Sequence, residues 1–198
     1  MPRLVLASAS PRRLELLRQI GVEPDVVEAS AIDERALKNE QPRQTALRLA
    51  SAKARAGALR HPGAVVLAAD TIVACGRRTL PKAETVEEAR ECLALLSGRR
   101  HRVYGAIAVA SADGRMSSRL ATTVVSFKRL APEEIDVYLA SDEWRGKAGG
   151  YAVQGRAAAF VRQINGSYGN VVGLDHFNAA AMLRGAGIGV SLAATSHG

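Results

Sequence analysis

The residues best placed for chemistry in this chain are charged or polar side chains set against apolar runs. Asp70 closes the run Ala64-Val-Val-Leu-Ala-Ala69, and a carboxylate at the C-terminal end of a buried strand stands where α/β sheets place ligands. Such a group needs a partner, which a metal ion or an activated water supplies; a cap or turn aspartate is the plainer reading. Lys53 lies on or beside the stripe Ala46, Leu49, Ala50 and Ala54. There a lysine either binds a ligand or lays its stem on apolar surface with its ammonium in water. Ser8-Ala-Ser-Pro-Arg-Arg13 joins two hydroxyls and two guanidinium forks to a helix start, a combination that suits phosphate. The alternative for this segment is a capped surface helix with arginines facing water. Asp33-Glu34, and Lys82 after Leu80-Pro81, are weak signals singly, because loop charges are usually solvated. Together, two or three carboxylates and several cations at one sheet edge are what polyphosphate hydrolysis needs. Carboxylates hold a hard divalent ion such as Mg²⁺ or Mn²⁺, and cations neutralise charge on the phosphoryl oxygens.

Other chemistries are poorly supplied. His61, His101, His176 and His197 occupy turn or terminal contexts, with no GxSxG elbow and no zinc spacing. Neither a GxxxxGKS/T loop nor a GxGxxG turn after a strand is present. Cys75 and Cys92 belong to no Cys/His cluster and read as reduced thiols. Water is the remaining nucleophile.

These residues need elements to hold them. Leu4–Ala7 reads as a buried strand, with Ser10 as N-cap and Pro11 at the first position of a helix that Gly21 stops. A second strand is expected over Asp25–Glu28, then a helix from Pro42 to about Arg60 and a strand from Ala64 ending at Asp70. Thr85 with Glu88 forms a capping box for a helix ending near Ser97-Gly98. From His101 to Lys128 the pattern is strand-like, with Ala112-Asp113-Gly114 as a hairpin turn between Ile107–Ala110 and Ala121–Phe127. Pro132 starts another helix, strands are expected over Tyr151–Gln154 and Ala157–Ile164, and a last helix spans Phe177–Arg184 before a Gly- and Ala-rich tail that frays. Interleaved helices and strands with hairpins predict a mixed α/β sheet, in one continuous domain over residues 1–198.

The chain has 198 residues, 47% of them hydrophobic, enough for a real core. Its net charge of +8 is compatible with nucleic acid, anionic membranes or small acidic ligands. The basic residues are scattered in ones and twos and aromatics make up only 4%, so a nucleic-acid-binding surface ranks behind a nucleotide site. The N-terminal apolar segment is too short for a secretory signal and no run reaches membrane-spanning length. The chain reads as cytoplasmic, with no membrane partner.

Ser8–Arg13, Ile32-Asp-Glu34, Leu49–Ala54, Ala68–Val73, Leu80-Pro-Lys82, Gly150–Gly155, and Ile164–Tyr168 with Asn170–Leu174 occur in the order seen in the Maf family of nucleoside triphosphate pyrophosphatases. The chain resembles that family over nearly its whole length. The resemblance implies an elongated α/β fold with a mixed sheet and central cleft, frequently as a homodimer. It also implies cleavage between the α and β phosphates, giving a nucleoside monophosphate and pyrophosphate, with a divalent cation. On this chain Asp70 would accept the proton of the attacking water and hold the metal with Glu34, while Ser8, Arg13, Lys53 and Lys82 would grip the triphosphate. Arg12, Thr71 and Gln154 fall where the family sets substrate choice and resemble its dTTP/UTP type, with extension to modified pyrimidines. The rival subgroup, acting on 7-methylguanosine triphosphate, typically has tryptophan near position 12 and Asp-Gln in place of Asp70-Thr71. A non-catalytic nucleotide- or RNA-binding protein is the other alternative. The resemblance implies a cellular role in nucleotide-pool housecleaning or division arrest. Three departures stand out: Asp175 where the family usually has proline, Gly105-Ala106 in place of Thr-Gly or Thr-Ala, and Tyr151-Ala-Val in place of Tyr-Gly-Ile.

Overall fold

Apolar strand runs and helix signals interleave along the chain, and the computed structural model shows how they pair. It describes residues 2–35 and 37–191. The strands are β1 (Leu4–Ala7), β2 (Val26–Glu28), β3 (Val65–Cys75), β4 (Arg78–Leu80), β5 (Lys82–Ala83), β6 (Arg100–Ala110), β7 (Met116–Phe127), β8 (Lys147–Ala148) and β9 (Val161–Asn165). The helices are α1 (Pro11–Gln19), α2 (Pro42–Arg60), α3 (Val86–Leu96), α4 (Pro132–Leu139), α5 (Tyr168–Val172) and α6 (His176–Gly185).

Seven strands form a mixed sheet in the order β2-β1-β3-β6-β7-β9, with β4 against β3, and β5 pairs β8 separately. β1 runs parallel to β2 and β3, and the remaining pairs are antiparallel. α2 covers one face, where its Ala46, Ala50 and Ala54 pack on Val5, Ala7, Val66 and Ala68. Small side chains let that helix approach closely, and a methyl on Gly57 would lie 2.7 Å from Val66 Cγ1. α1 and α6 cover the other face through Leu16, Leu17 and Leu183 against Leu4, Leu67 and Ile107. A third apolar cluster gathers Trp144, Tyr138, Phe127 and Phe160 beneath α3 and α4.

The local signals placed most helix starts correctly. Pro11 and Pro42 open their helices, and the Thr85–Glu88 capping box is formed in both directions. The strands differ more. β3 does not end at Asp70 but runs to Cys75, because β6 pairs it from Val66↔Ala110 to Ala74↔Arg102 and satisfies the backbone whatever the side chains. Gly114, at φ 86°, turns the predicted hairpin, but its strands are longer than expected, pairing from Ala110↔Met116 onward. Tyr151–Gln154 is a turn and not a strand. Gly149 and Gly150 sit at φ 74° and 68°, which breaks extension, and Gly155 N–H closes on the Ala152 carbonyl. Arg156–Phe160 forms a 3₁₀ turn, so the strand expected over Ala157–Ile164 is confined to β9. Of the tail expected to fray, residues 192–198, with His197, lie outside the described residues.

One consequence of this topology matters for chemistry. β1 pairs β3 only as far as Leu6↔Leu67, and β4 joins the same edge only from Val73. Between them, the edge of β3 from Ala68 to Ile72 has no strand partner on that side among the described residues.

Candidate active site

β1 ends at Ala7, and the next residues turn into α1 beside that open edge. Ser8 Oγ accepts from Ser10 N–H at 3.2 Å and from Arg13 Nη1 at 3.1 Å. Ser10 occupies the N-cap position, but contrary to expectation its hydroxyl makes no capping bond; the Ser8 side chain organises the turn. Arg13 Nη2 reaches Thr71 Oγ1 at 3.3 Å, and its Nε donates to the Gly173 carbonyl at 3.0 Å. Arg12 Nε points at the Val172 carbonyl, 3.4 Å away. The two arginines are therefore held by backbone carbonyls and do not face open water. Burial lowers the pKa of both guanidiniums; for Arg13 the charges of Asp70 and Glu34 oppose that shift and Arg12 adds to it.

Successive strand residues point to opposite faces, so Asp70 faces α2 while Thr71 faces α1. Lys53, on the buried stripe of α2, places Nζ 2.7 Å from Asp70 Oδ1 and 2.8 Å from Glu34 Oε1. Only 6% of Lys53 and 3% of Asp70 is exposed, so this lysine is not snorkelling. Lys82, on β5, closes the chain of charges at 2.9 Å from Glu34 Oε2. Burial alone would raise the Glu34 pKa, but hydrogen bonds and charge from Lys53 and Lys82 outweigh it and hold the carboxyl at about 2. The adjacent acids part company here: Asp33 turns outward to Arg35 at 2.6 Å, and only Glu34 enters the site.

The cleft crosses the open edge of β3 and has two compartments. The outer one, about 320 Å³, is lined by Ser8, Glu34 and Lys53, and Arg12, Arg13 and Lys82 stand where it meets the inner one. The inner compartment adds Thr71, Lys147 and the Tyr151–Gln154 turn. The structure thus gathers Ser8, Arg12, Arg13, Glu34, Lys53, Asp70, Thr71, Lys82 and Gln154 around one cleft. Sequence reasoning missed Lys147, a cation whose pKa is lowered by burial and by Arg12. Its only signal was a charge inside the small-residue stretch Gly146-Lys-Ala-Gly-Gly150.

Among the described residues no group of three or more His, Cys, Asp or Glu side chains could hold a metal. The donor set is Glu34 and Asp70, joined through Lys53, and Asp70 Oδ2 has no hydrogen-bond partner among the described residues. Two carboxylates fit Mg²⁺-type binding, in which phosphate oxygens and waters complete the shell.

A family profile described as "Maf-like protein" matches residues 3–186. The chain belongs to the Maf family. It is 61% identical over 187 residues to a dTTP/UTP pyrophosphatase of Paramagnetospirillum magneticum, covering 94% of this chain and 98% of that one. With a dTTP/UTP pyrophosphatase of Rhodospirillum rubrum it shares 59% identity over 184 residues, 93% of this chain and 88% of that one. Among solved structures it is similar to a nucleoside-triphosphatase / dITP/XTP pyrophosphatase of Mycobacterium abscessus, at TM-score 0.41 and 20% identity, covering 65% of this chain and 74% of that one.

Two departures of this Maf chain have structural explanations. Asp175 is the N-cap of α6, its carboxylate accepting from Asn178 N–H at 2.8 Å, so its charge complements a helix terminus. Gly105 faces Asn170, whose Oδ1 would lie 1.8 Å from any Cβ at position 105. The side chain of Tyr151 packs inward, its hydroxyl 2.8 Å from His101 Nε2, which leaves the following turn to line the cleft.

Proposed function

We propose that this chain hydrolyses nucleoside triphosphates to nucleoside monophosphate and pyrophosphate, with dTTP and UTP as its substrates. The observation that carries the reading is the cleft across the open edge of β3, which sets Asp70, Glu34 and Lys53 against the Ser8–Arg13 anion cradle. The names of its relatives add the substrate pair.

In this reading Ser8, Arg12, Arg13, Lys53 and Lys82 bind the triphosphate, and the arginine forks spread their charge over the phosphoryl oxygens. Asp70 accepts the proton of the attacking water while the bond between the α-phosphorus and the bridging oxygen breaks, and pyrophosphate leaves with that electron pair. Lys53 orients the Asp70 carboxylate through Oδ1 and leaves Oδ2 for the water. Glu34 and Asp70 would hold the divalent cation, Mg²⁺ or Mn²⁺, which supplies further neutralisation of phosphate charge. Thr71 and Gln154 face the base. The Gln154 amide offers a donor and an acceptor to a pyrimidine edge and makes no other hydrogen bond among the described residues. Residues 1–198 act as a single catalytic domain, and a nucleoside triphosphate pool as substrate sets that domain in the cytoplasm.

Pyrophosphate release from a panel of canonical and modified nucleoside triphosphates, with Mg²⁺, Mn²⁺ or EDTA, tests this. Wild type is expected to turn over dTTP and UTP with metal, and Asp70→Asn to lose ~10²–10⁴-fold in kcat while still binding nucleotide. Full activity in that variant removes Asp70 from the mechanism. Release from a methylated purine alone moves the substrate, and binding that grows with polymer length without turnover marks a nucleic-acid binder.

A further inference from the structure

Helix α5 has no part in the chemistry above, yet the carbonyls at its C-terminal end hold both arginines. Arg13 Nε donates to Gly173 O at 3.0 Å and Arg12 Nε to Val172 O at 3.4 Å. Gly173, at φ 146°, ends the helix, and the Gly173 and Leu174 N–H groups both fold back on the Gly169 carbonyl, while the Val172 and Gly173 carbonyls accept from the arginines. Helix-terminal carbonyls lack intrahelical partners and carry partial negative charge, so they suit guanidinium donors.

A five-residue helix cannot hold its own position. What fixes it is Asn170, only 1% exposed. Its Nδ2 donates to the Val103 carbonyl at 3.2 Å and to Thr123 Oγ1 at 3.0 Å. The Thr123 hydroxyl donates in turn to the Ser167 carbonyl at 3.1 Å. The amide lies over Gly105, the residue opposite Thr71 in the β3–β6 register, in space that any side chain at 105 would fill.

We infer that Asn170 is a positioning residue: seated over Gly105 and clasped by Thr123, it locks α5 to the sheet so that the Val172 and Gly173 carbonyls aim Arg12 and Arg13 at the triphosphate. This rests on the functional reading above only in taking a polyphosphate as the ligand. The lock acts through the Nε contacts, which leaves the Nη groups of Arg12 and the outer Nη hydrogens of Arg13 for phosphate. Lysine at position 13 has no such Nε and would not report the state of the lock.

The test is the Kd for dTTP in EDTA, by calorimetry, in a double-mutant cycle, with pyrophosphate release measured in parallel. Asn170→Ala is expected to weaken dTTP binding about tenfold, the scale of one charge-assisted hydrogen bond. In the Arg13→Lys background the same change is expected to cost distinctly less, the remainder passing through Arg12 and the Val172 carbonyl. Gly105→Ala, which displaces the amide, should match Asn170→Ala, and the Gly105→Ala/Asn170→Ala pair should bind no more weakly than either single variant. Thr123→Val, close in shape but without the hydroxyl, substitutes if Asn170→Ala does not fold. Equal losses in both Arg13 backgrounds, an unchanged Kd in Asn170→Ala or Thr123→Val, or no dTTP binding by wild type would overturn the proposal. Normal coupling in binding without turnover by wild type would instead remove the hydrolytic reading and leave the lock standing.

Discussion

The two faces of β3 that meet at the cleft carry different electrostatics. On the α2 face every charge is compensated: Lys53 lies between Asp70 and Glu34, and Glu34 is shared with Lys82. On the α1 face, Arg12, Arg13 and Lys147 form no ion pair with a carboxylate among the described residues, and the two arginines are held by carbonyls and hydroxyls. A network of paired charges is balanced without a ligand, whereas converging cations repel one another until an anion arrives. One face is therefore balanced in charge within the fold, and the other holds uncompensated cations in place. The two faces meet at consecutive residues of β3, Asp70 towards Lys53 and Thr71 towards Arg13.

The contrast can be broken from either side, and the largest effect belongs to the paired face. Lys53→Met leaves the Asp70 and Glu34 carboxylates without their shared cation, and is expected to cost ~3–5 kcal/mol, or roughly 10 °C or more in Tm for a chain of this size. Arg12→Gln, on the unpaired face, is expected to leave Tm almost unchanged, because it removes repulsion along with its hydrogen bond. Thermal unfolding of both variants checks this, and equal losses would mean the faces do not differ. Next in size is stabilisation by inorganic pyrophosphate in EDTA: at about a hundred times its Kd, ~2.7 kcal/mol and a Tm several degrees higher. That gain should shrink with added salt and with Arg12→Gln. A Tm insensitive to pyrophosphate would show that the cations are not waiting for an anion.

The smallest effect is a pH dependence. Glu34 has a folded-state pKa of about 2 against an ordinary value of 4.5. A depressed carboxyl stabilises the fold fully above its unfolded value, and that contribution disappears as pH falls from about 4.5 towards 2. Wild type should therefore be more stable than Glu34→Gln at pH 6, with the two converging as pH approaches 2. Equal stability already at pH 6 would show that the Lys53–Glu34–Lys82 chain adds nothing.

Much of the site was legible from residue type alone. Asp70, Lys53 and the Ser8–Arg13 segment were conspicuous because charge interrupts an apolar pattern, and burial without a partner is costly. The helix starts at Pro11, Pro42 and Thr85 were equally readable, since proline at the first turn and a capping box act within four residues. What resisted reading depends on distant partners. Nothing near Asp70 says that β3 continues to Cys75; β6 decides that, through pairing with residues some thirty positions on. Tyr151–Gln154 has strand-like residue types, but two left-handed glycines ahead of it and a hydroxyl bond to His101 make it a turn. Nothing in the residues next to Asn170 shows its seat, because Gly105, Val103 and Thr123 are brought beneath it only by the fold.

By itself, then, the sequence determined the inventory of cations and carboxylates, the helix boundaries set by local capping, and the alternation that sends Asp70 and Thr71 to opposite faces. Tertiary structure alone decided that β1 stops pairing at Leu67 and β4 begins only at Val73, opening the gap in which those side chains meet Arg13 and Lys53. The physical reason is range. Capping and alternation are properties of neighbouring residues, while a sheet edge exists only where strands far apart in the chain end their pairing.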